Sequence, residues 1–264
     1  MLDKIVIQTK QAVAVAKTAK PVEILYNQIR PGNFAFSAVL SQADWALIAE
    51  CKLASPAKGT LCSNYTVPEL AQIYAKHGAT ALSVHTNAAF LGSYDDIVRV
   101  KTLVSLPVLC KEFIVDEYQL YAARVAGADG VLLIAAILSD KELARFLEVA
   151  SQLGLDCLVE VHTLEELTRV QRTEAKLIGI NNRDLKNFTT DIAQTFTLLK
   201  HCELGRVVIS ESGIKNGDDA KRLKAAGVKG ILVGEGLVVA SDVAAMTSEL
   251  ALRSGKQEGR GYDA

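Results

Sequence analysis

The sequence predicts an α/β protein, a closed (β/α)8 barrel of the TIM type with an N-terminal helical extension. Three observations carry that expectation. Short runs rich in β-branched residues recur eight times along the 264 residues. Amphipathic stretches of helical length separate most of them. Two connections are nearly the same phrase, "AGADGVLLI" (Ala126–Ile134) and "AGVKGILVG" (Ala226–Gly234), and "KHGATALSV" (Lys76–Val84) echoes them. Each joins a helix end, a glycine and a strand start. Eight such units exceed the roughly five or six strands of a doubly wound sheet and match a closed barrel.

The elements follow in order. Residues 1–44 precede the first strand, and Ile5 to Lys17 and Val22 to Ile29 read as extra helices capping the barrel. The strand runs are Trp45–Cys51, Thr80–Val84, Pro107–Lys111, Gly130–Ala135, Asp156–Val161, Leu177–Asn181, Arg206–Ser210 and Gly230–Gly234. They are short and almost wholly apolar, as parallel strands covered on both faces must be. Between them, Val67–His77 has Pro68 at its start. Asp116–Ala126 stops at Gly127. Ser139–Leu153 opens on the capping box "SDKE" and stops at Gly154, and Thr163–Arg172 opens on "TLEE". Asp191–Cys202, Asn216–Ala226 and Leu237–Arg253 complete the helices. One barrel domain over residues 45–253 is expected, followed by a polar, Gly-rich tail, Ser254 to Ala264, that frays.

Composition narrows the function. Half the residues are hydrophobic, while 29 basic residues face 30 acidic ones. Such balance gives no support for nucleic acid or an anionic membrane as partner. The N-terminus has no basic region followed by an apolar core, and no apolar run reaches membrane-spanning length. The five cysteines are scattered without a CxxC, which reads as reduced thiols in a cytoplasmic protein.

In a barrel of this kind the chemistry sits at the C-terminal ends of the strands. Those ends are polar here. The first reads Glu50-Cys51-Lys52, the third Cys110-Lys111-Glu112, the fifth Val159-Glu160-Val161-His162, the sixth Ile180-Asn181-Asn182-Arg183 and the seventh Ser210-Glu211-Ser212-Gly213. Side chains alternate along a strand, so Glu50 and Lys52 share a side that Cys51 does not. Two lysines and three glutamates can then converge on one cavity, which is the raw material of acid–base chemistry. Taken singly, each is equally readable as a solvated rim charge or a structural ion pair. "SESGI" and "LVGEGL", after strands seven and eight, put Gly213 and Gly234 where such barrels often hold phosphate. The plainer reading is that they make tight turns.

Together "IAECKLASPAKG", "CKEFIVDEYQ", "LVEVHTLEEL", "IGINNRDL", "VISESGI" and "LVGEGL" resemble the indole-3-glycerol phosphate synthase family, in its order and over about residues 45–240. The resemblance implies ring closure, decarboxylation and dehydration of 1-(2-carboxyphenylamino)-1-deoxyribulose 5-phosphate, with no metal or organic cofactor. It implies that Lys111 protonates the ketone oxygen as the anthranilate ring carbon attacks. Lys52, Glu50 and Glu160 match residues that move protons in ring closure and water loss, the division between them being open. Asn181, Glu211 and Ser212 complete the catalytic set, orienting substrate with Arg183. Ser55, Gly213, Gly234 and Glu235 match the phosphate region, the last three through backbone N–H. Phe113 and Leu132 match walls for the aromatic ring. A small-molecule substrate and a monomer or dimer are expected.

The chain also departs from the family pattern. Leu53 stands where Arg or Lys is usual, which removes a positive charge from the expected site. In "SVHTNAAFLGS" (Ser83–Ser93), His85 replaces Leu, Asn87 an acid and Leu91 an aromatic. An alternative is therefore a paralogue acting on a related arylamino-deoxyketose phosphate. A phosphoribosylanthranilate isomerase would need a mouth-facing Cys at strand one and an Asp at strand five, where Cys51 is out of phase and Glu160 stands. A non-catalytic phosphosugar-binding barrel would be expected to lose the acid–base residues, and all are present.

Overall fold

In a computed structural model the chain is described over residues 2–184 and 189–253. Eight parallel strands close a barrel: β1 Ala46–Cys51, β2 Ala81–His85, β3 Val108–Lys111, β4 Gly130–Ile134, β5 Asp156–Val161, β6 Leu177–Asn181, β7 Val207–Glu211 and β8 Gly230–Val233. Each pairs with its sequence neighbours, and β8 closes the ring on β1 through Ala46↔Gly230 to Ala49↔Val233. All eight strands stand within one residue of the sequence expectation.

Alternation sorts the core into two layers. Leu47, Ala49, Cys51, Leu82, Val84, Val159 and Ile231 face outward and pack under the helices. Ala46, Ile48, Ala81, Leu109, Leu132, Leu158, Ile209 and Leu232 face inward and fill the barrel. The inward set turns polar at the C-terminal end, where the site lies.

The extension spans the barrel from end to end. Helix α1, Leu2–Ala19, lies beside the upper rim: Thr9 accepts from Asn87 at 3.3 Å, and Tyr118 Oη donates to the Lys20 carbonyl at 2.9 Å. Helix α2 is Val22–Tyr26. Helix α3, Ala35–Gln42, was not anticipated; its Phe36 and Leu40, both without exposed surface, join the interior cluster and plug the lower end. The floor is fastened where the Ser37 N–H donates to Asp156 Oδ2 at 2.7 Å.

Helices α4 Val67–Lys76, α5 Tyr94–Leu103, α6 Glu117–Ala126, α7 Asp140–Gln152, α8 Leu164–Gln171, α9 Ala193–Leu199 and α10 Gly217–Ala225 cover the outer layer. Helix α5 also went unanticipated. Its signal is a capping box of Ser93 and Asp96 over a polar stretch that buries only Ile97 and Val100. Leu237–Arg253 is not one helix but two, α11 Glu235–Val238 and α12 Val243–Leu250, because Asp242 caps a fresh start by accepting from the Ala245 N–H. The stretch Asp191–Cys202 is helical only over α9. The tail expected to fray, Ser254 to Ala264, lies outside the described residues.

Candidate active site

The inward alternation of Leu109 and Lys111, Leu158 and Glu160, and Ile209 and Glu211 places three charged groups on top of the apolar filling. Lys111 extends across the mouth. Its Nζ lies 3.0 Å from Glu211 Oε2 on the opposite strand and 3.4 Å from Glu160 Oε2. All three are nearly closed to solvent, so their charges act through protein more than water. Burial works against the charge of Lys111, but Glu211, Glu160 and Glu50 outweigh it and raise its pKa. Burial raises Glu160 too, yet Lys111 and the nearby His162 hold it well below the usual carboxylate range. Glu211 goes the other way: burial and the neighbouring Glu160 charge outweigh Lys111 and push it up to about 7. Two carboxylates on one ammonium thus differ in proton affinity, the arrangement that separates acid from base.

Beside them stands a second pair. Lys52 Nζ is 3.7 Å from Glu50 Oε1, and both side chains share the interior side as their spacing predicts. His85 Nε2 is 3.2 Å from that same oxygen. Burial would raise the Glu50 pKa, but His85 and Lys52 hold it far below the ordinary range. The Phe90 ring stacks on the His85 imidazole at 4.4 Å and lies 5.6 Å from the Lys52 ammonium.

Two glycines make room for these carboxylates. A Cβ on Gly234 would fall on Glu50 Oε1, and one on Gly179 would fall on Glu211 Oε1. Gly234, expected as a phosphate contact or a tight turn, is thus also the space in which Glu50 lies.

At the rim, Ser55 sits in a short hairpin, Ala54–Ser55 with Gly59–Thr60, and its Oγ accepts from the Lys58 N–H at 3.2 Å. Lys58 Nζ meets Glu235 at 2.5 Å, joining the loops after β1 and β8. After β7, Ser212 and Gly213 are both left-handed, with φ of 66° and 77°. Asn182 holds that turn, donating to the Glu211 and Ser212 carbonyls at 3.0 and 2.9 Å. The Asn181 Oδ1 accepts from the Arg183 N–H at 3.0 Å, and the buried Arg183 Nε has no partner among the described residues. Leu53, just beyond the end of β1, packs against the outer hydrophobic layer.

Phe113 packs against the interior cluster that contains Leu132, so both belong to one apolar surface, and Phe90 stands 6.2 Å from the Phe113 ring. Sequence reasoning noted His85 as a departure from the family pattern and gave no role to three further contributors, Phe90, His162 and Glu112. His162 continues the inward alternation from Glu160 and lies 3.3 Å from Glu160 Oε1 and from Glu166 Oε2. Those two carboxylates outweigh burial and raise its pKa to about 10. Glu112 is buried and accepts from Thr86, from Asn87 at 2.7 Å and from the Phe113 N–H. Nothing in the local pattern marks Phe90, which enters from a 3-10 turn, Ala88–Phe90.

Among the described residues no His, Cys, Asp or Glu side chains group as metal ligands, and no helix is long and apolar enough to cross a membrane. The family model for indole-3-glycerol phosphate synthase matches residues 2–250. The indole-3-glycerol phosphate synthase of Desulforamulus reducens is 47% identical over 233 residues, covering 88% of each chain. That of Legionella pneumophila strain Paris is 41% identical over 246 residues, covering 92% of this chain and 95% of its own. Among solved structures, a 3-hexulose-6-phosphate synthase superposes with a TM-score of 0.65 at 18% identity, over 78% of this chain and 98% of its own. That likeness is one of fold alone.

Proposed function

The chain belongs to the indole-3-glycerol phosphate synthase family, and we infer that it carries out that family's reaction at the barrel mouth. The enzyme converts 1-(2-carboxyphenylamino)-1-deoxyribulose 5-phosphate to indole-3-glycerol phosphate, carbon dioxide and water, a step of tryptophan biosynthesis. The observation that carries the assignment of roles is Lys111 held charged between Glu160 and Glu211.

Ring closure forms a bond between the carboxylate-bearing ring carbon and the ketone carbon. The ketone oxygen gains negative charge as that bond forms. Lys111 delivers its proton there; an alkoxide is a stronger base than an amine, so even a firmly held ammonium proton moves. Loss of carbon dioxide then restores the aromatic ring. Loss of the new hydroxyl as water, with a proton removed elsewhere on the ring system, completes the indole. Glu50, Lys52 and Glu160 carry the proton transfers that remain. The site offers two stations for them, Glu50 with Lys52 and Lys111 with Glu160 and Glu211, so protonation and deprotonation need not share one group.

Phe113, Leu132 and Phe90 hold the aromatic ring close to the ketone, which supplies proximity. Asn181, Arg183, Glu211 and Ser212 orient the chain of the sugar, and the unpartnered Arg183 Nε suits an anionic group of the substrate. The phosphate lies at the rim near Ser55, Gly213, Gly234 and Glu235, beside the left-handed turn at 212–213. Lys58 supplies a cation there. The five free thiols, four of them buried, support a cytoplasmic setting.

The test is turnover of the carboxyphenylamino-deoxyribulose phosphate, followed by indole fluorescence. Lys111→Ala is expected to reduce kcat at least about 100-fold, the range for removing a general acid, while the protein stays folded and binds the substrate. Wild-type turnover in that variant would overturn the role assigned to Lys111.

A further inference from the structure

His85 lies where its family resemblance leads one to expect leucine. The register pairs it with Lys111 on β3, and its side chain points inward from β2 beside Glu50 on β1. It is 5% exposed, so its polar atoms must find partners inside the protein. Its Nε2 lies 3.2 Å from Glu50 Oε1 but off the line of a hydrogen bond, and it has no other partner among the described residues. Lys52 Nζ addresses the same oxygen from 3.7 Å. Phe90 stacks within 3° of parallel on the imidazole and also lies under Lys52. Glu50, Lys52, Phe90 and His85 therefore close a loop of contacts. The remaining charged groups around the imidazole are Lys111 at the end of β3 and Glu112 just after it.

We propose that His85 is a positioning residue that keeps Glu50 paired and in place while Lys52 turns toward the substrate. The proposal rests on the reading of Glu50 and Lys52 as a proton-handling pair. If Lys52 were the only partner, each move toward substrate would strand a buried carboxylate, and an unpaired buried charge is strongly unfavourable. Lys52 would then stay bound to Glu50. A small rotation of the imidazole aligns an Nε2–H with Oε1 as Lys52 leaves. The stack on Phe90 limits that rotation to the ring's own plane. A leucine fills the same volume but offers no donor.

The experiment compares wild type, His85→Leu, His85→Gln and Glu50→Gln by kcat and KM, with Tm as a folding control. The expected result for His85→Leu is a kcat lower by about tenfold, the weight of one hydrogen bond to a charged group, with KM nearly unchanged. His85→Gln, which keeps a donor, should recover most of the kcat. A His85→Leu variant with wild-type kcat overturns the proposal. So does a loss shared equally by Leu and Gln, which would assign His85 to packing on Phe90. If Glu50→Gln itself turns over like wild type, the proton-handling reading of Glu50 falls and the proposal with it. If Glu50→Gln is inactive and His85→Leu is not, only the proposal falls.

Discussion

Gly234 shows how little space the charged mouth leaves. Its α-carbon faces Glu50 Oε1 so closely that a methyl group there would occupy the carboxylate's place. Gly234→Ala must therefore move Glu50 away from Lys52 and His85, or shift the turn that leads into α11. Misplacement of a catalytic group by about 1 Å costs roughly 100-fold in rate, so kcat is expected to fall by about that factor with only a modest loss of Tm. Steady-state kinetics beside a thermal melt would decide it, and an unchanged kcat would show that Glu50 has room to spare. The alternation Glu50-Cys51-Lys52 was legible in the sequence because side-chain direction on a strand is a local property. The meeting of Glu50 with His85 was not, because the two are 35 positions apart and meet only through the pairing of β1 with β2.

At the scale of elements, the loop after β2 ties helix α1 to the mouth. Asn87 donates to Glu112 at 2.7 Å and to Thr9 at 3.3 Å, while its Oδ1 accepts from the Ala89 N–H. An acid at position 87, as the family resemblance suggests, would set a second carboxylate against buried Glu112; the amide avoids this. Burial raises the Glu112 pKa, and the Asn87 hydrogen bond is the chief influence opposing it. Asn87→Ala is expected to cost about 1–3 kcal/mol, the penalty for a buried polar group left short of a partner. The sign with pH follows from the direction of the shift. A raised folded-state pKa means stability present at low pH and lost as pH rises through it, and removing Asn87 raises it further. The deficit of Asn87→Ala should therefore grow as pH increases, and urea melts at several pH values would show it. A deficit independent of pH would place the effect in the lost cap of Ala89 instead. Helix α5, beyond this loop, was overlooked in the sequence because its buried face is only Ile97 and Val100, too narrow a stripe for a periodicity argument.

Across the whole molecule the barrel needs two closures, one of the sheet and one of its lower end. The first comes from β8 pairing with β1 and the second from Phe36 and Leu40 of α3, against the interior layer at Gly130. Phe36→Ala is expected to cost about 3–5 kcal/mol by opening a cavity, with KM little changed because the floor lies at the far end from the mouth. Denaturant unfolding with parallel kinetics would check both halves; a large rise in KM would show that the plug and the mouth are coupled. The sequence by itself determined the eight strands to within a residue, the face each side chain takes, and the set of lysines and glutamates that end on the inside. These follow from periodicity, which needs only neighbours in the chain. Only the tertiary structure decided that Lys111 reaches Glu211 across the barrel, that His85 and Lys52 share one oxygen of Glu50, that Leu53 packs against the outer layer, and that a third N-terminal helix plugs the floor. Each of those depends on strand pairing and closure, which bring together residues far apart in the chain at distances no local pattern encodes.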